Sequence, residues 1–294
     1  MRKYGWLLLV LLLSSWVLAD GFREQFRKAL AADDPKAVQR VLKAWKQATP
    51  RDPDLYTARF NWLLSNAKRI ELRGGKPTER NAIALRDKKG KEVGSIGQGY
   101  DPDLIRQADA ALTKGLSYAP NRLDMHFGLA KMYEMTGQPA EQLRVLRHAL
   151  ATHPANGKPW RWRDGAALPD LEARFVPVSL EAYAGFYWQQ EGDAALAHGR
   201  AIAELLEQYY PQSSFGPFNM GVYYAMKNQP ALAYPKLQRA DALAPNDPST
   251  ISNLTKLAIE LKRKADATRY LQQLRKLPDT QQAVAEYSQK LRKL

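Results

Sequence analysis

Apolar residues recur along most of this chain at steps of three and four, the spacing that keeps them on one face of a helix. Val38, Val41, Leu42 and Trp45 mark one such face. It is entered through Asp34-Pro35, a carboxylate that accepts from free amides followed by a ring that needs no amide of its own. Phe60, Leu63, Leu64 and Ala67 mark another face in a helix predicted over Leu55–Arg69, and a shorter helix is expected over Phe22–Ala31. Asp101-Pro102 repeats the entry device ahead of Leu104–Leu116. Leu123–Met135 and Pro139–Thr152 then make a pair that turns at Gly137. Ser179–Gln190 pairs with Asp193–Tyr209 through Gly192, and Phe215–Lys227 with Pro230–Leu243 through Asn228-Gln229. Asp247-Pro248 opens a further pair, Ser249–Arg263 and Asp266–Lys276. Gln281–Leu294 is predicted as a terminal helix that covers the last apolar face. The pattern predicts an all-α body of paired helices.

Prolines punctuate that body at a regular interval. Pro120 and Pro154 are 34 residues apart, as are Pro211 and Pro245, while the 57 between Pro154 and Pro211 is one period plus an insertion. In the central unit Leu129, Ala130, Tyr133, Gly137, Leu146, Ala149 and Pro154 fall in the order large, small, aromatic, turn glycine, apolar, small, proline. Met220, Gly221, Tyr224, Leu237, Ala240 and Pro245 repeat it without the turn glycine, with Ala233 as a further small residue of the second helix, and Gly185, Trp188, Gly192 and Ala197 match between them. In this pattern the chain resembles the tetratricopeptide repeat family, whose units stack into a solenoid. The resemblance implies a right-handed superhelical solenoid of about six helix–turn–helix units over residues 20–294. Pro235 departs from the pattern and should kink a second helix by removing a backbone bond.

Two segments break the period. In residues 70–101, Asn81–Arg86 and Lys91–Ile96 alternate around Asp87-Lys88-Lys89-Gly90, which predicts a β-hairpin inserted between the two helices of a unit. The following Gly94–Gly99 lacks the Lys-Ser/Thr of a phosphate loop and is expected to be a flexible return. Residues 155–177 carry Trp160, Arg161, Trp162 and Arg163 in alternation. Either these side chains grip an acidic partner through cation–π contacts or the tryptophans fold back over neighbouring helices.

Composition narrows the chemistry. The chain has no cysteine, which removes disulfides, thiolate metal sites and thiol catalysis. Its four histidines, His126, His148, His153 and His198, lack metal-ligand spacing and are expected at the surface or in a groove, so no metal and no cofactor are predicted. Ser65-Asn66-Ala67-Lys68 fits the S-x-x-K of penicillin-binding enzymes but lacks its companion motifs, and no enzyme is predicted. Arg2 and Lys3, an apolar run from Trp6 to Leu18, and Val17-Leu18-Ala19 have the form of a secretory leader, residues 1–19, cleaved after Ala19. Export points to a periplasm and away from nucleic acid, and no later segment is long enough to span a membrane. The net charge of +14 is spread along outward helix stripes among acids.

The family resemblance further implies that the first helix of each unit lines a concave groove where peptides bind. Carried over by position, Phe127, Lys131, Glu134 and Met135 line it in the central unit, then Ala182, Phe186 and Gln190, then Phe215, Phe218, Val222 and Met226. Asn219 and Lys131 are isolated candidates for a carboxylate clamp. The function so implied is a periplasmic scaffold or adaptor that holds a peptide or helix of an envelope protein. Alternatives are a binder of an anionic envelope component through the basic surface, or a regulatory subunit of an envelope enzyme. The concave side could also be filled by the terminal helix or by the insertions.

Overall fold

The computed structural model describes residues 20–74 and 82–294. The expected leader, residues 1–19, lies outside them, as does Asn81 at the start of the expected hairpin. The described residues form two compact units that divide between Ala167 and Leu168.

The first unit holds α1 (residues 20–31), α2 (Pro35–Ala48), α3 (Pro53–Ala67), α4 (Pro102–Tyr118), α5 (Leu123–Met135) and α6 (Pro139–Asn156). The second holds α7 (Glu172–Trp188), α8 (Asp193–Tyr209), α9 (Phe215–Met226), α10 (Pro230–Leu243), α11 (Pro248–Glu260), α12 (Lys264–Leu274) and α13 (Gln281–Leu291). Helices pack in consecutive pairs, α3 on α4, α5 on α6, α7 on α8, α9 on α10 and α11 on α12. In α1 and α2, Phe26, Ala29, Val38, Leu42 and Trp45 join Leu55, Tyr56 and Ala58 of α3 in one core, and Phe22 stacks on Trp45 with ring centroids 5.9 Å apart. At the other end α13 packs on α11 and α12, with Tyr287 in a core of Leu254, Leu257, Tyr270 and Leu274.

Four of the helix–helix turns share one construction, while Gly192 between α7 and α8 takes another, at φ 96° and ψ 157°. Asp33, Gly137, Asn228 and Lys262 each take a left-handed conformation, at φ 49°, 68°, 54° and 56°. The next amide in each case donates five residues back: Asp34 to Ala29, Gln138 to Tyr133, Gln229 to Tyr224 and Arg263 to Ala258, at 2.8–3.2 Å. This bond occupies a carbonyl that the helix end would otherwise leave unpaired. Only Gly137 reaches φ > 0 without a steric cost.

The junctions between pairs are equally regular. Thr49, Ala119, Tyr210 and Ala244 sit at φ −131° to −138°, and each donates its amide to the carbonyl four residues back. Each precedes a proline, whose ring disfavours the helical conformation in the residue before it. Pro50 therefore belongs with Pro120, Pro211 and Pro245. Pro154 behaves differently, since α6 runs on to Asn156 rather than ending at Thr152 as predicted. Likewise α7 begins at Glu172, ahead of the predicted Ser179, and contains Pro177. Pro235 lies inside α10 without ending it. Within the second unit, a Cβ placed on Gly221 would lie 2.6 Å from Leu237 Cγ, so the small residue is what lets α9 and α10 approach.

Between α3 and α4 stands a three-stranded antiparallel sheet, β1 (Lys68–Gly74), β2 (Ile83–Arg86) and β3 (Glu92–Tyr100), in the order β1-β3-β2. The expected hairpin is β2–β3. The expected flexible return, Gly94–Gly99, is instead the middle of the central strand, and β1 begins where the predicted α3 was to continue. The Asp101 amide donates to Ala67 O at 2.7 Å, and Lys68 faces Tyr100 on the first rung, so the insertion leaves and rejoins the helices at one point.

Candidate functional site

In the second unit the expected groove positions lie on the first helices α7 and α9, which pack on each other, except Gln190, which follows the end of α7. Ala182 and Phe186 of α7 and Met226 of α9 are exposed, while Gln190, Phe215, Phe218 and Val222 are half-buried. Phe218 leans on the core that contains Tyr234, Leu254 and Leu257. Beneath this face lies a polar network that the sequence pattern did not reveal. Trp188 Nε1 donates to Asn219 Oδ1 at 2.6 Å, and Asn219 Nδ2 donates to Glu181 Oε2 and to Phe215 O. Burial raises the Glu181 carboxyl above its ordinary pKa, and the bond from Asn219 opposes this only in part. Asn219 is fully buried and committed to this network, so it is no carboxylate clamp.

The corresponding face of α5 in the first unit is closed by the chain itself. Phe127 is buried and meets Trp162 edge-on, with ring centroids 6.3 Å apart. Lys131 is exposed and ion-paired with Glu134. Trp160 is only 2% exposed; it stacks on His153 at 4.2 Å and meets His126 edge-on at 5.7 Å. Backbone bonds pin the segment, with Arg161 N–H donating to Asn121 O at 2.8 Å and Leu123 N–H to Arg161 O at 2.9 Å. The alternation of Trp160, Arg161, Trp162 and Arg163 thus separates inside from outside. The tryptophans pack inward and the two arginines are exposed. Trp160 and Phe127, named as partner contacts from the sequence, are core residues because these contacts take them out of solvent.

A cavity of about 450 Å³ opens in the first unit among Arg23, Arg51, Asp52, Asp54, Arg122 and Asp164. Its floor is an ion network. Arg122 Nε and Nη2 each reach an Asp124 carboxylate oxygen at 2.8 Å, and Nη1 reaches Asp54 Oδ1 at 2.6 Å. Arg23 takes the other Asp54 oxygen. Burial disfavours the Arg122 cation, yet its bonds to Asp124 and the charges of Asp124 and Asp54 outweigh this and raise its pKa. Three arginines face three aspartates around the cavity, so it holds no surplus of either charge, and its floor ties α1, α3 and α5 together.

The remaining candidates resolve as structure. His126 is buried, with Nε2 donating to Pro120 O at 3.0 Å, and burial lowers its pKa. His198 is buried against Tyr187; only His148 is exposed, so the expectation of surface or groove histidines fails for these buried rings. Among the described residues no group of histidine and carboxylate side chains is arranged to hold a metal. Ser65 and Lys68 fall in different elements, α3 and β1. No helix among the described residues is long and apolar enough to cross a membrane.

No protein-family profile matches the sequence, and no curated protein matches it. Solved structures do show likeness. PilF of Pseudomonas aeruginosa is 19% identical over 64% of this chain and 83% of its own, at a TM-score of 0.40. The repeat protein TTC0263 of Thermus thermophilus is 18% identical over 64% and 91%, at 0.37. A tetratricopeptide repeat protein of Parabacteroides merdae is 11% identical over 93% and 85%, at 0.40. The chain's own left-handed turns, junction prolines and close-packed small residues carry the architecture: each unit is built of successive antiparallel helix pairs.

Proposed function

We propose that this protein is an exported interaction scaffold that holds an apolar peptide or helix of an envelope protein along the first-helix face of its second unit. The observation that carries this is a contrast between equivalent positions. On α5 the groove aromatic Phe127 is covered by Trp162, whereas on α7 and α9 Phe186 and Met226 are open to solvent beside Phe215, Phe218 and Val222. An apolar stripe on adjacent first helices is the surface that an amphipathic helix or peptide covers. The Glu181–Asn219–Trp188 network fixes α7 against α9 and so holds the two halves of the stripe in register. Lys131, Arg161 and Arg163, exposed in the first unit, are left as its polar contacts with partners. The leader pattern of residues 1–19 supports export to a periplasm, where such a scaffold meets envelope proteins.

The test is recovery of a partner from a periplasmic extract by the wild-type chain and by Phe186→Asp/Phe218→Asp. Both chains should show the same helical circular dichroism, and the variant should lose the partner. Equal recovery by both would remove the groove from the account.

A further inference from the structure

The inserted sheet is built inside out. Its register sets Ile70 opposite Gln98, Leu72 opposite Ile96, Ile96 opposite Ile83, and Gly94 opposite Leu85. One face therefore carries Ile70, Leu72, Ile83, Leu85 and Ile96, with Gln98, Lys68 and Tyr100 toward its α3–α4 end, and the other Arg69, Glu71, Arg73, Ala84, Ser95, Gly97 and Gly99. A sheet packed on a core buries its aliphatic face and wets its polar one. Here Ile70 is 82% exposed, Leu72 74% and Ile83 66%, while Ser95 is buried. The polar face closes on itself: Glu71 fills the space a side chain at Gly99 would need and accepts from Arg69 and Arg73, each at 2.9 Å.

The charges around the aliphatic face are lopsided. At the β2–β3 turn the Asp87 carboxylate accepts from the amides of Lys89 and Lys91, at 2.8 and 3.0 Å, which orders the loop that bears Lys88, Lys89 and Lys91. These lysines and Lys68 are exposed and have no ion-pair partner among the described residues. Of the acids nearby, Glu71 is taken by Arg69 and Arg73 and Glu92 by Arg86, while Asp87 caps the loop's own amides, so the three lysines there outnumber its one carboxylate. Aliphatic side chains bordered by a surplus of ammonium groups match a lipid surface of negative charge, which offers hydrocarbon at its boundary and phosphate above it. We infer that the β1–β3 insertion seats on the surface of an anionic lipid bilayer. Ile70, Leu72 and Ile83 enter the headgroup boundary and Lys88, Lys89 and Lys91 meet the phosphates. This role is separate from the groove of the second unit.

The chain beginning at Asp20, which keeps every described element, is sedimented at low salt with vesicles of phosphatidylcholine alone or mixed with phosphatidylglycerol. Binding is expected to the mixed vesicles only. A basic residue at an anionic surface contributes roughly fivefold, so Lys88→Gln/Lys89→Gln/Lys91→Gln should lower partitioning about a hundredfold. Ile70→Asn/Leu72→Asn should lower it at least about tenfold, with melting unchanged because both positions are exposed. Failure to bind mixed vesicles, binding that survives either variant, or equal binding to uncharged vesicles overturns the proposal. So does self-association that the Ile70/Leu72 change abolishes without any vesicle binding, because that outcome assigns the face to a second copy of the chain.

Discussion

The Arg122 guanidinium reaches back 68 residues to Asp54 and donates to its carboxylate at 2.6 Å, both side chains being buried. Arg23 holds the other oxygen of the same carboxylate. Removing the acid would leave two arginines facing a space without their shared anion. Asp54→Ala is expected to cost about 3–5 kcal/mol, the range found when one partner of a buried pair is deleted. Urea unfolding followed by circular dichroism measures it, and a loss below about 1 kcal/mol would show that solvent reaches the cluster.

Four turns share one backbone geometry but not one residue, so their costs differ. Lys262 holds φ 56° with a side chain that the left-handed region disfavours by about 1–2 kcal/mol. Glycine relieves that, less the extra freedom it gives the unfolded chain. Lys262→Gly should therefore stabilise by ~0.5–1 kcal/mol, and Gly137→Ala should destabilise by about 1 kcal/mol. Thermal melts of the two variants should move in opposite directions; movement in the same direction removes the turn as the cause.

Glu181 predicts a dependence on pH. Its folded pKa lies above its unfolded value, so its contribution is present in full below the unfolded pKa and is lost as pH rises through the folded one. At neutral pH the buried carboxylate then works against folding. Glu181→Gln keeps the acceptor for Asn219 and should raise Tm at pH 7, by ~2–4 °C for each kcal/mol recovered, with no gain near pH 4. The same shift at both pH values would mean that another group titrates.

The close approach at Gly221 is a two-residue property. Gly221→Ala should cost ~1–3 kcal/mol by pressing on Leu237. With Leu237→Ala already in place, the same change should cost markedly less. Strict additivity in that double-mutant cycle would deny the contact.

Much of this was open to a reader of the sequence, for identifiable reasons. A proline disfavours the helical region in its predecessor, so Pro120, Pro211 and Pro245 mark true junctions and Pro50 carries the same signal, although Pro154, Pro177 and Pro235 lie inside helices. Gly137 and Gly192 announce turns because little else tolerates their backbone. Asn228 and Lys262 form comparable turns without advertising them. The sheet was half legible. Ile70 and Leu72 alternate with Arg69, Glu71 and Arg73, but Lys68 and Arg69 follow so closely on α3 that they read as its last turn, and the rest of β1 carried no turn signal to pair it with the hairpin. The Arg122–Asp54 pair and the Glu181–Asn219 bond were illegible, because each joins residues that only the packing of separate helices brings together. Trp160 and Trp162 allowed two readings until backbone bonds at Asn121 and Leu123 turned their rings inward.

The rung at Ala67 and Asp101 has a consequence beyond holding one sheet in place. Because the detour starts and finishes at a single closed point, the host hairpin is indifferent to what is mounted there, and lengthening such a loop costs only about 0.6 kcal/mol per doubling. The socket makes the segment exchangeable, a tool-head that can be swapped for another hairpin without retuning the helices that carry it.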